Sequence, residues 1–83
     1  MITIADVVNH EGFQELMEIL QRQGATPKLV GGLVRRRWTN HDIDIEVSKL
    51  GVKVPLHLLC LKFGRRGWYP VSINIRNETS GGR

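Results

Sequence analysis

The sequence predicts an α/β (α+β) fold, in which a small mixed β-sheet is flanked by helices. Apolar residues recur at helical spacing between Glu11 and Gln23. Apolar and polar residues alternate, as in half-buried strands, from Asp42 to Val47 and again from Val71 to Arg76. The full predicted order is helix, strand, helical turn, strand, helix, strand, and this mixture of element types is typical of an α/β domain.

We expect one domain at most from a sequence of 83 residues. We expect residues 1–77 to form this domain, because 41% of the chain is apolar, and residues 78–83 to form a flexible tail. The net charge of +4 suits a polyanionic partner such as a nucleotide or a nucleic acid, RNA included, although many proteins of similar charge bind neither. A homodimer is a further expectation, because so small a domain gains stability from a partner.

The single cysteine and the lack of long apolar segments predict a reducing, cytoplasmic location. Cys60 is the single cysteine, so it has no partner for an internal disulfide, and within PLHLLCLKF it is expected to be buried. The chain has no basic start followed by an apolar stretch, and no apolar run of membrane-spanning length. We therefore expect neither a signal peptide nor a membrane partner.

Two helices are predicted before residue 25. Thr3 and Asp6 resemble a capping box, which would start a short helix over Ile4 to Asn9. Glu11 to Gln23 is the longer helix, and Gly24 ends it in the position after the helix that glycine favours. The apolar stripe of the longer helix comprises Phe13, Leu16, Met17 and Leu20.

The middle of the chain contains two predicted strands around a glycine turn. Lys28 to Val30 is a short strand that runs into Gly31 and Gly32. Leu33 to Trp38 is predicted to form one or two helical turns. The second strand, Asp42 to Val47, alternates strictly, with one face made of Ile43, Ile45 and Val47 and the other of Asp42, Asp44 and Glu46.

In the last third of the chain, the hydrophobic pattern between Pro55 and Gly64 is compatible with a helix or a strand. Pro55 can open a helix that ends at Gly64, and this is the interpretation we favour, because leucine is a weaker strand former than valine or isoleucine. The same run also alternates, so a buried strand is the alternative. The strand from Val71 to Arg76 is clearer, and its outward residues are Ser72, Asn74 and Arg76.

Other residues have structural interpretations beside functional ones. The stretch from Arg65 to Tyr69 interleaves cations with aromatic rings, so it is able to stack a base and bind a nucleic-acid backbone. We favour a turn whose Trp68 covers the edge of the core. His10 and His57 show no metal-ligand spacing with Cys60, and we interpret both as structural.

The two aspartates of the second strand predict a cation site. Side chains at i and i+2 of a strand leave from the same face, about 7 Å apart at the backbone, so Asp42 and Asp44 can converge on one ligand. Mg²⁺ fits such a pair, because it prefers oxygen ligands and combines one or two carboxylates with phosphate oxygens. A solvated acidic face is the plainer interpretation.

The double glycine supplies a second feature next to these aspartates. Glycine allows positive φ and a close approach of the backbone, and a following helical turn would point its free N–H groups at phosphate oxygens. Arg35 to Arg37 add positive charge nearby. Taken alone, the double glycine is explained by an ordinary turn and the three arginines by a charged surface. The combination of both with the aspartates favours a phosphate site beside a metal site.

Residues 29–47, LVGGLVRRRWTNHDIDIEV, resemble the signature of the nucleotidyltransferase fold. This superfamily includes DNA polymerase beta, the CCA-adding enzymes and bacterial poly(A) polymerases, and the minimal nucleotidyltransferases of toxin–antitoxin systems. The Gly-Gly-x-Val-Arg motif is similar to that of the CCA-adding and poly(A) group. The short gap between Gly32 and Asp42 is more similar to the minimal proteins.

The resemblance implies a role for each residue of the motif. Gly31, Gly32 and Arg35 would hold a nucleoside triphosphate, and Asp42 and Asp44 would bind Mg²⁺ and carry catalysis. Many members place a third carboxylate on a later strand, where it activates the attacking hydroxyl.

In this chain that later strand would be Val71 to Arg76, and the position of the third carboxylate is Asn74. A neutral amide cannot act as the general base. Glu46 could replace it only with altered geometry.

Two functions from different classes follow. The chain is expected to transfer a nucleoside monophosphate from a triphosphate to a hydroxyl of an RNA, a protein or a small molecule. Alternatively it is a catalytically inactive module that keeps the fold and binds nucleotide, nucleic acid or a partner protein. A plain structural domain is a third interpretation.

Overall fold

The computed structural model describes residues 2–32, 34 and 42–78. Two helices and a four-stranded mixed sheet make up this part of the chain, so the predicted α+β fold class is confirmed. The helices are α1 (Ile4–Val8) and α2 (Glu11–Arg22); the strands are β1 (Lys28–Val30), β2 (Asp42–Val47), β3 (Cys60–Phe63) and β4 (Tyr69–Asn77); and two short 3₁₀ turns cover Leu56–Leu59 and Arg65–Gly67.

The capping box at the start of α1 is confirmed. Thr3 Oγ1 accepts a hydrogen bond from the Asp6 backbone N–H at 3.1 Å, and Asp6 Oδ2 accepts one from the Thr3 backbone N–H at 2.9 Å. The helix ends at Val8, one residue before the predicted end, because Asn9 is its C-cap. These two hydrogen bonds satisfy donors that a helix of five residues would otherwise leave to water.

His10 connects the start of α2 to the sheet. Its Nδ1 accepts from the Gly12 backbone N–H at 2.9 Å, and its Nε2 lies 2.8 Å from the carbonyl oxygen of Lys62. Because Nδ1 accepts, the ring proton belongs on Nε2, which then donates to Lys62. The ring also packs against Phe63, with 4.5 Å between ring centroids. His10 is therefore a helix cap with a structural role.

The end of α2 has the hydrogen bonds of a Schellman motif. Gly24 has a φ of +84°, and its N–H donates to the Gln21 carbonyl at 3.0 Å. The Ala25 N–H donates to the Leu20 carbonyl at 3.1 Å, and Ala25 is itself buried. Glycine is favoured here because it adopts positive φ without a steric penalty. The predicted stop at Gly24 is confirmed, with Gln23 as the cap and not the last helical residue.

The sheet has the strand order β1-β2-β4-β3. The central pair β2 and β4 is parallel, and each edge strand is antiparallel to its neighbour. In the register, Asp44 lies between Val30 on β1 and Asn74 on β4, while Ser72 lies next to Asp42 on one side and Cys60 on the other. Residues 48–68 therefore form the crossover that a parallel pair requires, and this crossover contains β3.

In the described part of the chain, one face of the sheet is covered by the helices and the other is open. The covered face packs with the helices into one hydrophobic core, and each fully buried aliphatic side chain there contributes about 1.5–3 kcal/mol. From the sheet this core takes Ile43, Ile45, Val47, Leu61, Phe63, Val71 and Ile73, and from the helices it takes Val7, Phe13, Leu16 and Leu20. The alternation predicted for both central strands is confirmed.

The prediction of a helix between Pro55 and Gly64 is wrong. Leu56–Leu59 makes a single 3₁₀ turn, and Cys60–Phe63 is the edge strand β3. Pairing with β4 satisfies the backbone of this segment and points Leu61 and Phe63 into the core, so tertiary contacts override the weak strand preference of leucine. Cys60 consequently faces outward and is exposed, which corrects the expectation that it is buried.

The turn between β3 and β4 also differs from its prediction. Arg65–Gly67 is a turn, as favoured, with Arg66 at a φ of +66°. Trp68, however, is 77% exposed, so the interpretation that it covers the edge of the core is wrong. The half-buried aromatic residue at this edge is Tyr69, which is the first residue of β4 and packs against the core.

Several predictions lie outside the described residues. These are the helical turns over 33–38, apart from Val34, which lies in a turn; the arginines at positions 35–37; and the tail beyond residue 78. Within the described part of the chain, no helix combines the length and the apolar character needed to cross a membrane.

Candidate functional site

The candidate site lies on the open face, by which we mean the outward side chains of the four strands. On β2 this face carries Asp42, Asp44 and Glu46, all half-buried, and on β4 it carries Ser72, Asn74 and Arg76, all exposed. The register sets them in three rows: Asp42 beside Ser72; Asp44 between Val30 and Asn74; and Glu46 between Lys28 and Arg76. Strict alternation produces this face, because the intervening residues are apolar and turn to the core.

Asp44 is a half-buried carboxylate of this face, with 23% of its side chain exposed. Its Oδ1 accepts a hydrogen bond from Asn74 Nδ2 at 3.1 Å. Its Oδ2 lies 3.5 Å from a guanidinium nitrogen of Arg76. Both carboxylate oxygens therefore have a partner on β4, one neutral and one cationic.

Gly31 touches the same carboxylate from the other side. It follows β1 directly with a φ of +89°, a conformation that favours glycine. A Cβ built at this position would overlap Asp44 Oδ2. Glycine is thus required for two reasons, its backbone conformation and the close approach of Asp44. The motif's glycine and its second aspartate are in direct contact.

Asp42 has a different environment from Asp44. It is half-buried, and among the described residues it makes no side-chain hydrogen bond or ion pair. Its backbone lies about 7 Å from that of Asp44 along the strand, so one cation can bridge the two carboxylates. With no partner among residues 2–32, 34 and 42–78, this carboxylate is a candidate to bind a ligand from solution.

Asn74 occupies the position at which the resemblance implies a third carboxylate. β4 runs parallel to β2, and its Asn74 is the register partner of Asp44. The amide nitrogen donates to Asp44, which leaves the amide oxygen free to accept or to bind a metal. Asn74 therefore holds the Asp44 side chain by a neutral hydrogen bond, whereas a carboxylate at this position could not donate one.

The structure brings together Asp42 and Asp44 from β2, Asn74 from β4 and Gly31 from the turn after β1. Gly32 follows Gly31 and is half-buried, whereas Arg35 lies outside the described residues.

The described residues contain no group of three His, Cys, Asp or Glu side chains that could hold a metal ion. Two carboxylates and an amide oxygen nevertheless fit Mg²⁺, which retains several waters or phosphate oxygens and needs one or two carboxylates.

Sequence reasoning missed Arg76 as a member of this site. It was assigned to the outward face of the last strand, but its contact with Asp44 depends on the parallel register between two strands that are far apart in sequence. The available signal was its spacing: Arg76 follows Asn74 by two residues, so both occupy the same face of one strand.

Comparison of the chain with protein-family models, with curated proteins and with solved structures found no match. The assignment of a function therefore depends on the motif of residues 29–47 and on the geometry of the open face.

Proposed function

We propose that this protein binds a nucleoside triphosphate with Mg²⁺ on the open face and transfers its nucleoside monophosphate to a hydroxyl group of an RNA, a protein or a small molecule. The observation that carries the proposal is the contact between Gly31 and Asp44. It joins the glycine turn, suited to phosphates, to the acidic strand, suited to a cation.

In this proposal Asp42 and Asp44 hold the metal. Asp42 has no competing partner among the described residues, and Asp44 is oriented by the hydrogen bond from Asn74. Bound Mg²⁺ would neutralise charge on the phosphates. In the in-line displacement, the acceptor hydroxyl loses its proton, its oxygen bonds to the α-phosphorus and the bond to pyrophosphate breaks, so pyrophosphate leaves. The positions of the two carboxylates are set by the rigid central pair of strands, because their neighbours Ile43 and Ile45 are fully buried.

Gly31 and Gly32 would bind the triphosphate through the backbone, with Arg35 contributing charge. The missing side chain at Gly31 already allows the backbone to reach Asp44, and it would allow phosphate oxygens the same close approach. Phosphates bound at the turn would lie beside the metal, which is the arrangement that nucleotidyl transfer needs.

One observation favours a second candidate, a module that binds metal and nucleotide without catalysis. Asn74 occupies the position beside Asp44 and donates a hydrogen bond to it. An amide has no basic site able to take a proton from an attacking hydroxyl. Catalysis would then depend on another group, such as Glu46 or the substrate itself, to accept that proton.

Calorimetric titration with Mg²⁺ and each of the four ribonucleoside triphosphates tests the binding step. We expect metal-dependent binding by the intact protein and its loss in the double variant Asp42→Ala/Asp44→Ala. The matched control is Glu15→Ala/Glu18→Ala, which removes two carboxylates from the exposed side of α2, on the other layer of the fold. Absence of nucleotide binding by the intact protein would overturn both candidates.

Label transfer separates the two candidates. The protein is incubated with Mg²⁺, triphosphates labelled at the α-phosphorus and a mixture of RNA, protein and small hydroxyl acceptors. Incorporation that disappears in Asp44→Asn would support the transferase. Metal-dependent binding without incorporation into any acceptor class would favour the binding module.

A further inference from the structure

Arg76 is the cation closest to the candidate metal site among the described residues. Its guanidinium lies 3.5 Å from Asp44 Oδ2, and its side chain is 58% exposed. A divalent cation bound to Asp44 would meet this positive charge within contact distance. The guanidinium and the metal are therefore competitors for the same carboxylate.

A second carboxylate lies within reach of Arg76. Glu46 is its register partner across the parallel pair and faces the same side of the sheet. Glu46 is half-buried and makes no ion pair in the described part of the chain, although Lys28 faces it from β1. Arg76 thus has two neighbouring acceptors and occupies the one that belongs to the metal site.

We propose that Arg76 is a positioning residue that acts as an internal counter-ion for the metal site. This inference rests on the proposed function. Without ligand, Arg76 holds Asp44 in place and lowers the affinity of the site for a free divalent cation. When metal arrives with a triphosphate, the guanidinium turns to Glu46 and Asp44 becomes a metal ligand. The consequence is a site that binds metal well only together with nucleotide.

The physical basis is the low strength of an exposed ion pair. Such a pair is easily exchanged, because water screens it and long side chains lose entropy when they are held. A metal carrying phosphate oxygens brings extra ligands and negative charge, so it displaces the guanidinium more readily than a bare cation does. Exchange between two acceptors avoids leaving the guanidinium without a partner.

Binding of Mn²⁺ without nucleotide, measured by the loss of the free-ion signal in electron paramagnetic resonance, tests the proposal. Removing the guanidinium in Arg76→Gln should tighten Mn²⁺ binding by about three- to tenfold. Arg76→Lys keeps the charge and should stay within about twofold of the intact protein. Thermal melting of each variant checks that it is folded.

The matched control is Arg22→Gln. Arg22 also forms an exposed ion pair, with Glu18 at 2.9 Å, but it lies on α2 and away from the open face. This variant changes the net charge by the same amount, so it measures the general effect of losing one positive charge. Mn²⁺ affinity should change by less than about twofold.

The outcomes separate this inference from the proposed function. If Arg76→Gln binds Mn²⁺ as the intact protein does, or more weakly, the counter-ion role is overturned, while metal binding that depends on Asp42 and Asp44 would leave the proposed function standing. If adding a non-hydrolysable triphosphate brings the affinities of the two proteins together, the exchange is supported. If no variant binds Mn²⁺ even with triphosphate, both proposals fall.

Discussion

The two faces of the central strands have the same backbone but opposite chemistry. On the covered face, Ile43, Ile45 and Val71 are fully buried, whereas on the open face Asn74 and Arg76 are exposed. Buried apolar contacts are concentrated on the first face and the candidate ligand-binding groups on the second. Because alternate residues of one strand serve the two faces, the rigidity gained on one side positions the side chains on the other.

The difference has a measurable consequence for substitutions. A side chain removed from the covered face leaves a cavity in a close-packed core. One removed from the open face is replaced by water, so we expect stability to change little, and the proposed ligand binding to be lost. The following predictions test this contrast, from the largest expected effect on stability to the smallest.

The covered face should dominate the free energy of unfolding. Ile45→Ala should lower this free energy by about 2–5 kcal/mol, because Ile45 is fully buried and its loss leaves a cavity. Urea unfolding measures the change. The adjacent substitution Glu46→Ala, on the open face, should alter it by less than about 0.5 kcal/mol. Equal effects at these two positions would contradict the division between the faces.

Gly31 is the position where the open face itself is most constrained. Gly31→Ala should cost about 2–4 kcal/mol, because it combines positive φ with an overlap between the new Cβ and Asp44. Gly51→Ala is the control: Gly51 has a φ of +75° with no atom within 4 Å of a built Cβ, so it isolates the backbone term of about 1 kcal/mol. Similar losses at both glycines would show that the contact with Asp44 is unimportant.

Asn74→Asp should have a smaller effect whose sign depends on metal. Without metal we expect a loss of about 1 kcal/mol, because a hydrogen bond to Asp44 is replaced by repulsion between carboxylates. Added Mg²⁺ should restore the melting temperature and raise it above that of the metal-free parent, since three carboxylates would then surround the ion. Asn74→Ser lacks the new charge and should show no such gain with Mg²⁺.

Cys60 should show the smallest effect. Cys60→Ser should change the free energy of unfolding by less than about 0.5 kcal/mol, because Cys60 is exposed on the open face despite its leucine-rich surroundings in sequence. A thiol reagent should modify it in the folded protein without denaturant. Protection of the thiol until unfolding would show that Cys60 is buried after all.

The predictable elements are those that depend on a local sequence pattern. The capping box of Thr3, the glycine stop after α2 and the alternation of β2 are local patterns, and all three are found in the structure. The segment ending in β3 was mispredicted, because the choice between helix and strand there depends on pairing with β4, which neighbouring residues do not encode.

For the candidate site, the sequence determined which residue types share a strand face: Asp42 with Asp44, and Asn74 with Arg76. The tertiary structure decided which of them meet. The parallel register of β2 and β4 brings Asn74 and Arg76 to the two oxygens of Asp44, and β1 brings Gly31 against the same carboxylate. Side-chain periodicity is a property of the local backbone, whereas register between distant strands is set by packing of the whole core.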